Sequence, residues 1–296
     1  MKEEARVLLE QYLDYLEIEK NRSRKTRENY GRYLFAFFED QNIKKISDIT
    51  VERVRNFRVH LSGKDLKKNT QGYYVIAIRN FLKYLIKQGY DVLPPDRIEL
   101  PRVSRRDIEV LEYRELERLM QAPEGNTLRA LRDRAILETF FSTGLRLSEL
   151  CSLKRYIDIE RGEVSVRGKG DKLRVVFLSD GARKAIKEYL AKRTDPEEAL
   201  FISISKSGNA MKRITPRSVE RLVDFYARAA GIPKKIHPHQ LRHSFATDLL
   251  INGADLRSVQ SLLGHANVAT TQIYTHLTNK ELREIHKAFH GRRRKE

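Results

Sequence analysis

Residues 89–106 read GYDVLPPDRIELPRVSRR, and this stretch divides the chain into two parts. Its prolines lack a backbone donor, and each restricts the conformation of the residue before it. Such a segment is typical of an extended connection and not of a helix interior. A chain of 296 residues also exceeds the size of one ordinary domain. The sequence therefore predicts two domains, residues 1–90 and 107–296, joined by a linker at 91–106.

On the N-terminal side of the linker, apolar residues recur three and four positions apart, as they do on the buried face of α-helices. Thr50 is placed to cap the third of these helices, and Asn69 or Thr70 to open the fourth. Most aromatic residues follow the same spacing, which indicates core residues and not platforms for stacking bases. We expect residues 1–90 to form a compact all-α domain of four helices.

On the C-terminal side the periodicity is again mainly helical. Residues 163–178 are the exception, because they alternate and contain glycines at 168–171, which predicts an antiparallel β-hairpin. The predicted fold class is therefore mainly α: an all-α four-helix domain followed by a mainly helical domain with a small antiparallel hairpin. Helices are expected at 113–121, 128–142, 216–231, 238–251 and 256–263, around 274, and from 278.

The charge balance indicates a polyanionic partner. The chain has 58 Lys and Arg residues against 40 Asp and Glu residues, a net charge of +18, and both parts carry a basic excess. Basic residues gain binding energy from phosphates by releasing their counterions. We therefore expect double-stranded DNA, held by both domains, to be the partner.

Composition also restricts where the protein works. The chain contains no apolar run long enough for a transmembrane helix and begins without the pattern of a signal peptide. Its single cysteine, Cys151, cannot form an internal disulfide and is expected to be a small buried apolar residue. These features predict a cytoplasmic protein with no membrane contact.

Seven of the eight histidines lie between His237 and His290. His239 and His243 are four positions apart and could share a helix face, which is the spacing of a zinc site. The segment lacks the glutamate of an H-E-x-x-H arrangement and has no cysteine ligand. We therefore expect neither a metal nor another cofactor.

Five short segments of the C-terminal part follow one another in a characteristic order. They are TGLRLSEL at 143–150, GKGDK at 168–172, HPHQLRHSFAT at 237–247, LLGH at 262–265 and TTQIYTH at 270–276. Together they resemble the catalytic boxes of the tyrosine site-specific recombinases, the phage integrase family, and specifically those of the Xer type. The resemblance spans nearly the whole chain. It implies a SAM-like core-binding domain, a catalytic domain, and strand exchange through a Holliday junction, as in the resolution of chromosome dimers.

The resemblance also implies roles for individual residues. Breaking a phosphodiester without a metal requires a nucleophile, a base, an acid and positive donors for the nonbridging oxygens. Tyr274 would be the nucleophile and would hold the DNA as a 3′-phosphotyrosine, which needs no ATP for religation. Arg146 and Arg242 would each grip two phosphate oxygens with a permanently charged fork.

The resemblance assigns the remaining residues to proton transfer, to phosphate binding and to orientation of the site. Lys169 matches the family position for the acid that protonates the leaving oxygen, and Lys172 competes with it for that role. His239 would accept the tyrosine proton, and His265 would donate a hydrogen bond to the phosphate. Glu149 is expected to orient one of the arginines or the base.

The assembly and the cellular role follow from the same resemblance. We expect a homo- or heterotetramer on DNA, with a regulatory protein as a further partner, and a C-terminal helix at about 279–290 that docks on a neighbouring protomer. The alternatives are the integrase of a mobile element, a monomeric type IB topoisomerase and a catalytically idle DNA-binding protein.

Overall fold

The computed structural model describes residues 3–101, 111–168, 173–205 and 207–264. The chain divides into two compact units, Met1–Arg106 and Asp107–Glu296. The described part is mainly helical and contains two small antiparallel sheets, so the predicted fold class is confirmed. No helix in these ranges combines the length and the apolar character needed to cross a membrane.

The first unit consists of helices joined by short turns. Its helices are α1 (Glu3–Asp14), which continues as a π-helical turn (Tyr15–Glu19), α2 (Arg24–Asp40), α3 (Val51–Ser62) and α4 (Lys68–Lys87), with 3₁₀ turns at Ile46–Asp48 and Pro95–Arg97. The Ser23 and Thr50 hydroxyls accept hydrogen bonds from main-chain N–H groups of the first turns of α2 and α3, as helix N-caps do.

The predicted opening of α4 is wrong by one or two residues. The helix begins at Lys68, ahead of Asn69 and Thr70, and no side chain caps it. Instead, the main-chain N–H of Thr70 donates to the Lys67 carbonyl at 2.8 Å. The backbone itself therefore closes the first turn, without a side-chain cap.

Aromatic rings fill the core of the first unit. Phe37 meets Phe57 edge-on, with ring centroids 5.2 Å apart, and Tyr12 lies 5.3 Å from Phe81. All four side chains are buried, so these rings pack the helices against one another and present no face to bases. Aromatic pairs in such geometries stabilise a core beyond the area that they bury.

The second unit surrounds a larger apolar core with helices and two hairpins. Its elements are α5 (Tyr113–Gln121), α6 (Leu128–Thr143), α7 (Leu147–Ser152), β1 (Glu163–Arg167), β2 (Leu173–Phe177), α8 (Asp180–Ala191), β3 (Ile202–Ile204), β4 (Ala210–Arg213), α9 (Pro216–Ala229), α10 (Pro238–Ile251) and α11 (Leu256–Leu263). The predicted hairpin is present as β1 and β2, with Val164 opposite Val176. Three features were not predicted: the short helix α7, the helix α8, and the second hairpin formed by β3 and β4.

Candidate active site

The site begins where α6 ends at Gly144. This residue has a φ of 56°, and a Cβ atom added to it would lie 2.3 Å from Cδ1 of Phe245 on α10. Only glycine meets both conditions, since other residues strain in the left-handed region and would overlap the ring. The sharp end of α6 places Gly144 against α10 and Arg146 directly before α7, at its N-cap.

Arg146 is held in place by three hydrogen bonds. Its main-chain N–H donates to Oε2 of Glu149 at 2.8 Å, and its Nη1 donates to Oε1 of the same carboxylate at 2.9 Å. Its Nη2 donates to the Gly264 carbonyl at 2.9 Å. The side chain retains 28% exposure, so the guanidinium is fixed in place but still faces solvent.

Glu149 is a buried carboxylate between two arginines. Besides Arg146, it accepts a two-pronged contact from Arg174 on β2, at 2.9 Å from Nη1 and 2.7 Å from Nη2. Burial alone raises the pKa of this carboxyl, but the hydrogen bonds from Arg174 and Arg146 outweigh it and lower the pKa to about 2. Glu149 is therefore ionised at any physiological pH and orients Arg146.

Arg242 reaches the same place from α10. It is almost fully buried, and its Nη1 donates to the Gly144 carbonyl while its Nη2 donates to the Leu263 carbonyl at 2.6 Å. A buried guanidinium needs such acceptors, because an unpaired charge is costly away from water. Arg146 and Arg242 therefore meet on adjacent carbonyls.

The C-terminal end of α11 is the point on which these side chains converge. The carbonyls of Leu262, Leu263 and Gly264 accept from Arg174, Arg242 and Arg146 respectively. Carbonyls at a helix C-terminus have no partner within the helix and carry partial negative charge, so cations stabilise them. His265, for which the sequence predicts a hydrogen bond to the phosphate, is the next residue in the chain.

The two histidines of α10 differ in environment. His239 lies at the start of the helix with part of its surface exposed, and desolvation by the surrounding protein, followed by the charge of Arg242, lowers its pKa. His243 is half-buried, and burial lowers its pKa to about 4, with His239 and Arg242 adding to the effect. Both imidazoles are neutral at neutral pH, so His239 can accept a proton.

The structure places part of the predicted constellation. Arg146, His239 and Arg242 lie on α10 or beside it, and the two arginines come together. Lys169, Lys172, His265, Tyr274 and the helix expected at 279–290 lie outside the described residues.

Sequence reasoning did not single out Arg174. On β2 the side chains of positions 174 and 176 are turned inward, whereas Leu173, Val175 and Phe177 are exposed. An arginine in the inward register of a strand indicates a buried anionic partner. That alternation was present in the sequence and could have identified the residue.

Neither a zinc cluster nor a reactive thiol is found among the residues that the structure describes. They contain no group of three His, Cys, Asp or Glu side chains that could hold a metal. Cys151 is buried, and burial raises the pKa of its thiol to about 11, so it is protonated at neutral pH and acts as an apolar core residue.

Comparison with known proteins extends over both units. The family model of the phage integrase family matches residues 109–281, and that of the N-terminal SAM-like domain of phage integrases matches residues 9–89. The chain is 37% identical over 292 residues to tyrosine recombinase XerC of Thermodesulfovibrio yellowstonii, covering 94% of each chain. It is 34% identical over 294 residues to tyrosine recombinase XerD of Halalkalibacterium halodurans, covering 96% of this chain and 97% of that one.

A solved structure shows the same likeness. The XerH site-specific recombinase bound to palindromic difH substrate, in a post-cleavage complex, superposes with a TM-score of 0.73 at 26% identity. The match covers 94% of this chain and 82% of that one.

Proposed function

The chain belongs to the phage integrase family. Arg146, Arg174 and Arg242 form an arginine cluster at the end of α11, and we propose that this cluster is the phosphate-binding half of its DNA-cleavage site. The chain is a tyrosine recombinase, an enzyme that transfers DNA strands at specific sites. The observation that carries the proposal is the convergence of Arg146 and Arg242 on the adjacent carbonyls of Gly264 and Leu263. Two fixed guanidinium groups can neutralise the charge that builds up on nonbridging oxygens.

Cleavage in this proposal is a transesterification with Tyr274 as nucleophile. Its phenolic oxygen attacks phosphorus, the bond to the 5′-oxygen breaks, and the DNA is held as a 3′-phosphotyrosine. The new ester conserves the energy of the phosphodiester, so religation by attack of a 5′-hydroxyl needs no ATP. One strand of each duplex is cleaved in this way, and reciprocal attack of each 5′-hydroxyl on the phosphotyrosine of the other duplex releases both tyrosines and forms a Holliday junction.

The protons move through side chains. His239 takes the proton of the tyrosine, which its lowered pKa allows at neutral pH. Lys169 gives a proton to the leaving 5′-oxygen, and His265 donates a hydrogen bond to the phosphate. Arg146 and Arg242 bind the nonbridging oxygens with their guanidinium forks. The proposal assigns no step to a metal.

The nucleophile is tested by Tyr274→Phe, which removes one oxygen and keeps the ring. On a nicked duplex, which lets the cleaved end diffuse away, the native protein should accumulate a protein–DNA adduct that survives detergent. The variant should bind the same duplex with similar affinity and form no adduct. The assay is run in EDTA, because the proposal assigns all charge and proton transfer to side chains.

Two results would contradict the proposal. An adduct formed by Tyr274→Phe would show that another residue is the nucleophile. A native protein that binds DNA but never forms an adduct would instead fit a catalytically idle DNA-binding protein. Loss of the native adduct in EDTA, with recovery on adding zinc or magnesium, would revive a metal site among the histidines.

The DNA site and the cellular role follow from sequencing the adduct. We place the reaction at a chromosomal site in the cytoplasm, in the resolution of chromosome dimers, because the similarity to XerC and XerD covers 94% and 96% of the chain. DNA recovered as a covalent adduct from cells that carry the gene should then map to one chromosomal locus. Adducts at the ends of a mobile element would favour an integrase instead.

We further propose that the protein works as a tetramer on a pair of sites, held by the segment at 279–290. In the sequence of this segment Ile285 and Phe289 are four positions apart, the spacing of residues on one face of a helix. Deleting residues 279–296 should leave single-site binding largely intact and abolish pairing of sites and recombination, as measured by gel mobility and strand exchange. Deleting 291–296 alone is the control. Tetramers of the longer deletion on DNA would contradict the proposal.

A further inference from the structure

Arg174 is the one member of the arginine cluster to which the proposed reaction gives no role. It lies on β2, the strand that follows the hairpin tip, and its side chain is turned inward with only 11% exposure. A charged side chain at an inward strand position costs free energy unless it is fully paired.

The contacts of Arg174 join β2 to two other parts of the second unit. Nη1 and Nη2 lie 2.9 and 2.7 Å from the two oxygens of Glu149, and Nε donates to the Leu262 carbonyl at 3.1 Å. Gly264 leaves room for this arrangement, because a Cβ there would lie 3.0 Å from Cδ of Arg174. The guanidinium is therefore clamped in a planar, two-pronged geometry.

Glu149 needs both of its arginines. Oε1 accepts from Nη1 of Arg146 and Nη1 of Arg174, while Oε2 accepts from the main-chain N–H of Arg146 and Nη2 of Arg174. One carboxylate thus faces two guanidinium groups, and the three side chains together carry one excess positive charge. Without Arg174, the full negative charge of Glu149 would face Arg146 alone.

The geometry points to Arg174 as a positioning residue for DNA cleavage, which shares the charge of Glu149 so that Arg146 stays both oriented and electrostatically available to the scissile phosphate. The inference rests on the proposed function, in which Arg146 binds that phosphate. In this inference Arg174 acts through Glu149 and is given no direct contact with the reacting atoms.

The test compares single-turnover cleavage with binding and stability. The probe is a nicked duplex that carries the sequence recovered from the native adduct, with protein in excess. Arg174→Met, which keeps the length and removes the charge, should slow adduct formation by about tenfold or more, with duplex affinity within about twofold of native. Arg174→Lys, which restores the charge but not the fork, should lie between the two.

A double variant separates charge sharing from packing. Arg174→Met leaves an unbalanced carboxylate beside Arg146, so adding Glu149→Gln should make cleavage faster than in Arg174→Met alone. If Arg174 made only a packing contact, replacing the Glu149 carboxylate by an amide would slow cleavage further or change nothing. A double variant no faster than Arg174→Met would therefore overturn the inference.

Arg183→Met is the matched control. Arg183 also donates to main-chain carbonyls, those of Ile159 and Glu160, and to a carboxylate, that of Asp180, but it does not contact Glu149. It should lower the unfolding temperature and leave the cleavage rate at saturating protein near native. If Arg183→Met and Arg174→Met slow cleavage alike at equal loss of stability, the effect of Arg174 is structural and the inference is wrong.

The chemical route is tested with sulfur at the leaving position. A 5′-bridging phosphorothiolate leaves as a thiolate and needs little protonation, so it should rescue Lys169→Ala. Arg174→Met should remain slow on it, because its defect lies in binding the phosphate oxygens. If this substrate restored the cleavage rate of Arg174→Met, Arg174 would act through Lys169 on the leaving oxygen. That result would overturn the route through Arg146.

The inference and the proposed function fail in different ways. A native protein that forms no adduct overturns both. A native protein that cleaves, beside an Arg174→Met variant that cleaves equally fast, overturns this inference alone.

Discussion

The charged side chains at the end of α11 are held by hydrogen bonds to one another and to main-chain carbonyls. Glu149 accepts four hydrogen bonds, and the guanidinium groups of Arg146, Arg174 and Arg242 each reach a main-chain carbonyl. Buried charges are tolerated only under these conditions, and removal of one partner leaves the others uncompensated. The stability of the second unit should therefore depend on pH through this carboxylate.

We expect an acid-sensitive contribution from Glu149. Its pKa falls from 4.5 to about 2 on folding, so the stabilisation is present above pH 4.5 and is lost as the pH falls toward 2. A shift of this size corresponds to about 3 kcal/mol at most. Glu149→Gln lacks the titrating group, so the native protein's advantage over the variant in urea unfolding should shrink from pH 5 to pH 3.

His243 also affects stability in this pH range, but its effect cancels from the comparison of the two proteins. Its pKa falls from 6.5 to about 4, so it too favours unfolding as the pH falls, but equally in the native protein and in Glu149→Gln. It therefore cancels in the difference between them. A difference that stays constant between pH 5 and pH 3 would contradict the role given to Glu149.

At the scale of elements, the turn between α6 and α7 sets the position of Arg146. The left-handed conformation of Gly144 and the ring of Phe245 against it fix the direction in which the chain leaves α6. A packed ring cannot move by the amount that a Cβ at 2.3 Å would require without disturbing α10. The turn is therefore sensitive to the smallest substitution.

We expect Gly144→Ala to destabilise the protein by about 3 kcal/mol or more, from backbone strain together with the overlap. Gly231→Ala is the matched control, because Gly231 has a φ of 67° and nothing within 4 Å of an added Cβ. Gly231→Ala should lower the free energy of unfolding by the backbone strain alone, about 1 kcal/mol. Chemical unfolding of both variants measures the difference, and equal losses would show that Phe245 yields.

Elements with strong local signals were predictable, and those without were not. Leu256–Leu263 and Pro238–Ile251 have the predicted bounds, because periodicity, caps and a proline agree there. The buried stripe of α8 is half alanine, and β3 and β4 have three and four residues, so each gives a weak pattern. The candidate residues were named from motifs, but the bond from Arg146 to Gly264 spans 118 positions, which no local pattern encodes.

On the scale of the whole molecule, basic residues are in excess in both parts of the chain. If both domains hold one DNA duplex, binding neutralises many phosphates and releases their counterions. The net charge of +18 makes this contribution large.

We expect the affinity for duplex DNA to fall by roughly 10³-fold or more between 50 and 200 mM salt, the range for about six or more phosphate contacts. Fluorescence anisotropy of a labelled duplex at several salt concentrations gives the slope. An affinity that does not change over this range would contradict a clamp formed by both domains.

The three carbonyls at the end of α11 have a consequence for how this sequence can change. They accept from the arginines through main-chain oxygens, so residues 262 and 263 can vary in identity, within the limits of packing, without losing a single arginine contact. A one-residue insertion or deletion between Asp255 and Gly264 is different, since it rotates every later carbonyl by about 100° around the helix axis. The segment should therefore tolerate drift in composition and reject drift in length, a form of constraint that substitution scans overlook and that an indel scan would reveal.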